Sequence, residues 1–114
     1  MTKASILYVD DLKILSELIG ELLTEAGYEV ILFNNLAQAK RHHEAHDREI
    51  DLVLCDGSIQ DRHDGHKWAA QLQADGVKTI VLSTEEMNGV PFVNKESLNE
   101  DLLPKIEEVL GTNK

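Results

Sequence analysis

The stretch DLVLCD, Asp51 to Asp56, decides how the rest of the sequence is read. Leu52 to Cys55 are four consecutive apolar residues, mostly aliphatic and too few for a helix, so they predict a strand buried on both faces at the centre of a parallel sheet. The run closes on a carboxylate. A charge beside such a strand is costly unless a cation or a reaction compensates it, and the carboxyl ends of parallel strands are where open α/β sheets place their ligands. Asp56 is therefore the point on which other functional residues should converge.

Working outward, ASILYVDD at Ala4 to Asp11 is a second apolar run that also ends on acid, twice. From Leu12 to Ala26, Leu15, Leu18, Ile19, Leu22, Leu23 and Ala26 recur at three- and four-residue spacing before Gly27, which predicts an amphipathic helix. YEVILF at Tyr28 to Phe33 is the next strand, and Asn34 or Asn35 is placed to cap a helix from Leu36 to about His46. Beyond Asp56, GSIQDRHD forms a polar loop, and Gly65 to about Ala74 predicts a short helix burying Trp68, Ala69 and Leu72. Lys78 to Ser83 reads as a fourth strand and Val90 to Asn94 as a fifth, with Pro91 suited to a sheet edge. Ser97 to Glu100 has capping-box spacing for a last helix, in which Pro104 predicts a kink or a late start. Strands alternating with helices imply βαβ units with right-handed crossovers. One connection is short: seven residues separate Ser83 from Pro91, where a parallel crossover normally needs a dozen or more, so the fourth helix is expected to be missing or reduced.

With 114 residues the chain has the length of one domain with one core, and no output domain is expected. The apolar runs near the amino terminus are too short for a signal peptide or a membrane span. A formal net charge of −10, with eleven scattered Lys and Arg, argues against nucleic acid and for a protein partner. The single cysteine, Cys55, has no internal disulfide partner, which suits a cytoplasmic, reducing setting.

Asp10 and Asp11 end the first strand and Asp56 the third, and a doubly wound sheet brings these ends together. Three neighbouring acids repel, and a hard divalent ion with oxygen ligands, Mg²⁺ above all, relieves them. Ser83 adds a hydroxyl at the end of the fourth strand and Lys95 an ammonium after the fifth. Such a set suits phosphoryl transfer to a carboxylate: the metal neutralises phosphate oxygens while the hydroxyl and the amine hold the rest. Blander readings exist for neighbouring residues. His42 and His46 share a helix face but lack the Glu that a zinc-protease motif places after its first His, so a solvated face is expected. Cys55 reads as a small strand hydrophobe.

VDD at Val9 to Asp11, DLVLCD at Asp51 to Asp56, DG at Asp64 and Gly65, VLST at Val81 to Thr84 and FVNK at Phe92 to Lys95 together resemble a response-regulator receiver domain of two-component signalling, over nearly the whole chain. The resemblance implies a flavodoxin-like, five-stranded parallel sheet in the order 2-1-3-4-5. It makes Asp56 the phosphoacceptor, with Mg²⁺ bound directly by Asp11, Asp56 and the main-chain carbonyl of Ser58, and by Asp10 through water. Ser83 and Lys95 would hold phosphoryl oxygens, and Phe92 stands at the place of the switch aromatic. Ser58, Thr84 and Glu85 would modulate hydrolysis. The implied donor is a sensor histidine kinase or a His-phosphotransfer protein, and a protein partner reads the result. Such a domain is no classical enzyme: it catalyses its own phosphorylation and dephosphorylation.

The sequence also departs from the family pattern. Gln60 stands where a Pro is usual, DG comes one residue late, Thr84 is larger than the usual Ala or Gly, and Glu96 replaces the Pro after the Lys. The alternative reading is a non-catalytic, receiver-like module that docks or dimerises through the Val90 to Lys95 face bared by the short connection. An aspartate-based phosphatase is disfavoured, since no second acid lies two residues after Asp56.

Overall fold

Five parallel strands alternate with helices in the computed structural model, which describes residues 4–57, 64–83 and 90–111. The order is β1 (Ser5–Val9), α1 (Lys13–Glu25), β2 (Glu29–Phe33), α2 (Leu36–His46), β3 (Leu52–Asp56), α3 (Asp64–Ala74), β4 (Thr79–Ser83), β5 (Phe92–Asn94) and α4 (Leu98–Leu110). Within the sheet the strands lie as β2-β1-β3-β4-β5, all neighbours parallel. This is the flavodoxin-like arrangement expected.

The period of two along each strand divides the core into two layers. Ile6, Tyr8, Leu52, Leu54, Ile80, Leu82 and Val93 face Ile19 and Leu23 of α1 and Leu102 and Ile106 of α4. Leu7, Val9, Val53 and Cys55 face Leu36 and Ala39 of α2 and Trp68 and Leu72 of α3. Every residue of β3 and β4 is buried, so a continuous apolar run was the right signature for the sheet centre. β2 and β5 are the edges.

Local signals hold in most places. Asn35 caps α2 by accepting the Gln38 N–H at 3.1 Å, and Gly27, at φ 102°, takes the left-handed turn after α1. Leu18 is a correction: assigned to the apolar stripe, it is 54% exposed, while the polar Ser16 is buried and donates to the Lys13 carbonyl. The capping box is another. Ser97 makes no side-chain cap, and Asn94 instead accepts the Glu96 N–H at 2.8 Å over the single turn Lys95–Ser97. α4 starts at Leu98 and runs through Pro104, so there is no late start.

The expectation of a missing fourth helix finds no support. The helix in fourth place, α4, spans 13 residues, and the connection in question falls on residues 84–89, outside the described ones. Nor is Val90 laid bare: it is 7% exposed and packs with Ala69, Val81 and Phe92 of its own chain.

Candidate functional site

β1 and β3 are direct neighbours, in register from Ile6 opposite Leu52 to Val9 opposite Cys55. The residues that follow those last pairs, Asp10 and Asp56, consequently leave the sheet side by side. Each is 1% exposed. Asp11, on the turn into α1, is exposed, and one carboxylate oxygen from each of the three lies within 4.8 Å of the others. Among the described residues no other group of three His, Cys, Asp or Glu side chains is so disposed. Three hard oxygen donors at that spacing fit a divalent cation such as Mg²⁺ and offer nothing to a soft one.

Lys95 closes the site from across β4, on the same rim of the sheet. It lies two strands from β3, immediately after β5, yet its Nζ donates to Asp56 Oδ1 at 2.7 Å, with the lysine side chain 17% exposed. Ser83 ends β4, buried, one position beyond Leu82, which pairs with Asp56, and opposite Asn94 of β5. The aspartates, the amine and the strand-end hydroxyl thus share one rim. Phe92 lies lower, opposite Val81 in register, in the small cluster with Ala69 and Val90. Ser58, Thr84 and Glu85 lie outside the described residues.

Glycines let the backbone close around Asp56. Gly65, in the first turn of α3, sits against the Asp56 carbonyl so closely that a Cβ there would overlap it, and Gly57 is covered by the His66 ring and Val81. The DG signature is therefore a steric requirement of the β3 end. Cys55 is buried with its thiol pushed well above the ordinary range by desolvation first and then by the charges of Asp56 and Asp10, which makes it inert.

One residue escaped the sequence reading. Tyr8, fully buried on β1, donates its hydroxyl to Asp10 Oδ2 at 2.6 Å, while the Leu12 N–H donates to Asp10 Oδ1 at 2.9 Å. Residues two apart on a strand share a face, so Tyr8 and Asp10 were already aligned in LYVDD; the apolar run drew attention to the ring and away from its hydroxyl. Burial raises the Asp10 carboxyl from 3.8 to about 6, opposed by the Tyr8 and Leu12 hydrogen bonds and reinforced by the Asp56 charge. The Tyr8 phenol is itself held well above its usual range, by burial first and then by Asp10.

A family model described as the response regulator receiver domain matches residues 6–106. The chain belongs to this family. Solved receiver structures share its fold: a receiver domain protein from Clostridium thermocellum superposes with a TM-score of 0.83 at 20% identity, covering 95% of this chain and 94% of that one. A receiver protein from Sinorhizobium medicae gives a TM-score of 0.79 at 21% identity, with 97% of each chain covered. A third match, at TM-score 0.80 and 19% identity over 95% of this chain and 90% of that one, comes from a complex of CheX, CheY, BeF3 and Mg²⁺ from Borrelia burgdorferi. No curated protein matches this receiver domain in sequence. Among its described residues no helix is long and apolar enough to cross a membrane.

Proposed function

We propose that this receiver domain is a cytoplasmic phosphoacceptor that takes a phosphoryl group from a histidine of a kinase or phosphotransfer protein onto Asp56. The observation that carries the reading is the pairing of Lys95 Nζ with Asp56 Oδ1 at 2.7 Å beside two further aspartates. A carboxylate oxygen of Asp56 forms the new bond to phosphorus as the P–N bond of the phosphohistidine breaks, its electron pair leaving with the imidazole. Lys95 then exchanges Asp56 for a phosphoryl oxygen, and the Ser83 hydroxyl donates to another. Bound through Asp11, Asp56 and the Ser58 carbonyl, with Asp10 acting through water, Mg²⁺ would neutralise charge on the transferring group. Drawing Ser83 and Lys95 inward biases a two-state equilibrium in which Phe92 changes position, and the partner binds one of the two states. Water attack on the acyl phosphate ends the signal, modulated by Ser58, Thr84 and Glu85.

A protein donor is supported by the surface beside the site. Ile14 is 85% and Leu18 54% exposed, four residues apart on one face of α1, with Leu12 also exposed. Leu15 and Leu18 share a groove of about 260 Å³ with Lys95, Glu96 and Leu98. Apolar side chains on the outer face of a helix next to a buried nucleophile suit a partner that must deliver a phosphohistidine.

The test is labelling by a small acyl phosphate with and without Mg²⁺, followed by mass mapping of the acceptor. Label is expected on Asp56 only and none on Asp56→Asn; a labelled variant overturns the assignment. A second reading, dimerisation through the Val90 to Lys95 face without chemistry, draws on the edge strand β5 and on a β4–β5 connection shorter than a helical crossover normally uses. The buried Val90 speaks against it, and a monomeric sedimentation profile at high concentration, with and without phosphodonor, would eliminate it.

A further inference from the structure

We propose that Tyr8 is a positioning residue of the cation site: its hydroxyl, acting only through Asp10, holds that carboxylate in the orientation from which it serves a bound cation. The inference rests on the phosphoacceptor reading above and concerns a residue that touches neither phosphate nor metal.

Three observations carry it. The Tyr8–Asp10 bond is 2.6 Å long and joins two fully buried groups on one face of β1, the length of a charge-assisted O–H···O⁻ bond. The other Asp10 oxygen is tied to the Leu12 main chain, so both oxygens are held and the carboxylate plane is set. Finally, the Tyr8 ring lies in the core layer against α1 and α4, which fixes where the hydroxyl can reach. A carboxylate so held keeps an oxygen within 4.8 Å of those of Asp11 and Asp56 before any ion arrives. Without the phenol, the side chain can rotate away from its two like-charged neighbours, and the arrangement must be rebuilt each time a cation binds. Partners that orient metal ligands are commonly worth ten- to a hundred-fold in affinity.

The experiment compares the full chain with Tyr8→Phe, Asp10→Asn and the double variant. Tyr28→Phe serves as a control, because Tyr28 is a second buried tyrosine, remote from the aspartates. Mg²⁺ dissociation constants from calorimetry, and phosphorylation rates by a small acyl phosphate across Mg²⁺ concentrations, are the readouts. Tyr8→Phe is expected to weaken Mg²⁺ roughly ten-fold, to raise the Mg²⁺ concentration for half-maximal rate by the same factor, and to leave the rate at saturating Mg²⁺ within about two-fold of the parent. In the Asp10→Asn background the same change should do nothing further. Equal Mg²⁺ affinity in the parent and Tyr8→Phe, or an undiminished effect in the Asp10→Asn background, overturns the proposal.

An NMR arm does not depend on any variant folding. In the unaltered chain the Tyr8 hydroxyl proton is expected to be protected from exchange and to shift with the same Mg²⁺ midpoint as the Asp10 carboxylate carbon; a hydroxyl that ignores Mg²⁺ also overturns it. If the unaltered chain neither binds Mg²⁺ nor takes label, the phosphoacceptor reading falls and this role with it. If it does both while Tyr8→Phe matches it, only the role of Tyr8 is lost.

Discussion

The carboxyl ends of β1 and β3 are neighbours, equally buried, and each carries an aspartate, yet they manage charge in different ways. Asp56 faces a cation, Lys95, brought from beyond β5 and paired with it through its Nζ. Asp10 faces two neutral donors, a phenol and a main-chain N–H, both supplied within two residues of itself. An ion pair can be exchanged for another anion, such as a phosphoryl oxygen, without moving the backbone. Neutral donors from the same strand and turn stay in place whatever is bound. Under the proposed function, this contrast fits a reactive role at the β3 end and a holding role at the β1 end.

The largest effect expected is at Asp56 itself. Asp56→Asn should lose all phosphoryl uptake while Asp10→Asn retains it at raised Mg²⁺; equal loss in both, measured by label incorporation, would erase the difference between the two ends. Next comes the cation. Lys95→Met leaves a buried carboxylate beside two others without its ammonium, a change that costs about 3 kcal/mol where a buried pair is broken. Chemical denaturation in chelator should show this loss, and Mg²⁺ should restore part of it.

The pH dependence of the metal-free chain tests the β1 end. The folded state raises the Asp10 carboxyl from 3.8 to about 6, so between those values the folded chain binds more protons than the unfolded one. Stability from this group is fully present below the lower value and is lost as pH rises through the upper one. The loss is on the order of 3 kcal/mol, because a tenfold change in proton affinity is worth about 1.4 kcal/mol. Denaturation in chelator between about pH 4 and pH 7 should show a contribution of that sign, and the slope should be reduced by that contribution in Asp10→Asn. An identical slope in the two chains would contradict it.

The smallest effects concern space. Gly57→Ala places a Cβ against the His66 ring and 3.0 Å from Val81 Cγ1, and because the ring can turn aside the expected cost is about 1 kcal/mol. Asp11→Ala, at an exposed turn, should change metal-free stability by less than about 0.5 kcal/mol while lowering Mg²⁺ affinity. Matching stability losses in the two variants would show that the β3 end is no more tightly closed than the β1 end.

Much of this was legible in the amino-acid order. The buried run Leu52–Cys55, the acids closing two strands and the alternation of strand and helix pointed to a doubly wound parallel sheet that gathers Asp10, Asp11 and Asp56 at one edge, while the strand order came from the resemblance to receiver domains. Lys95 followed from the same reasoning. What depended on three dimensions was which side chains are exposed and which hydroxyls find partners. Leu18 fits the helical period yet stays outside, because none of the described elements covers that part of α1. Asn94 rather than Ser97 makes the cap, because the turn after β5 begins earlier than the capping-box spacing implied. Tyr8 reads as an apolar strand residue until its hydroxyl is seen on Asp10. Periodicity specifies the direction in which a side chain leaves the backbone, whereas the atom it meets depends on packing among distant elements, and only the folded chain decides that.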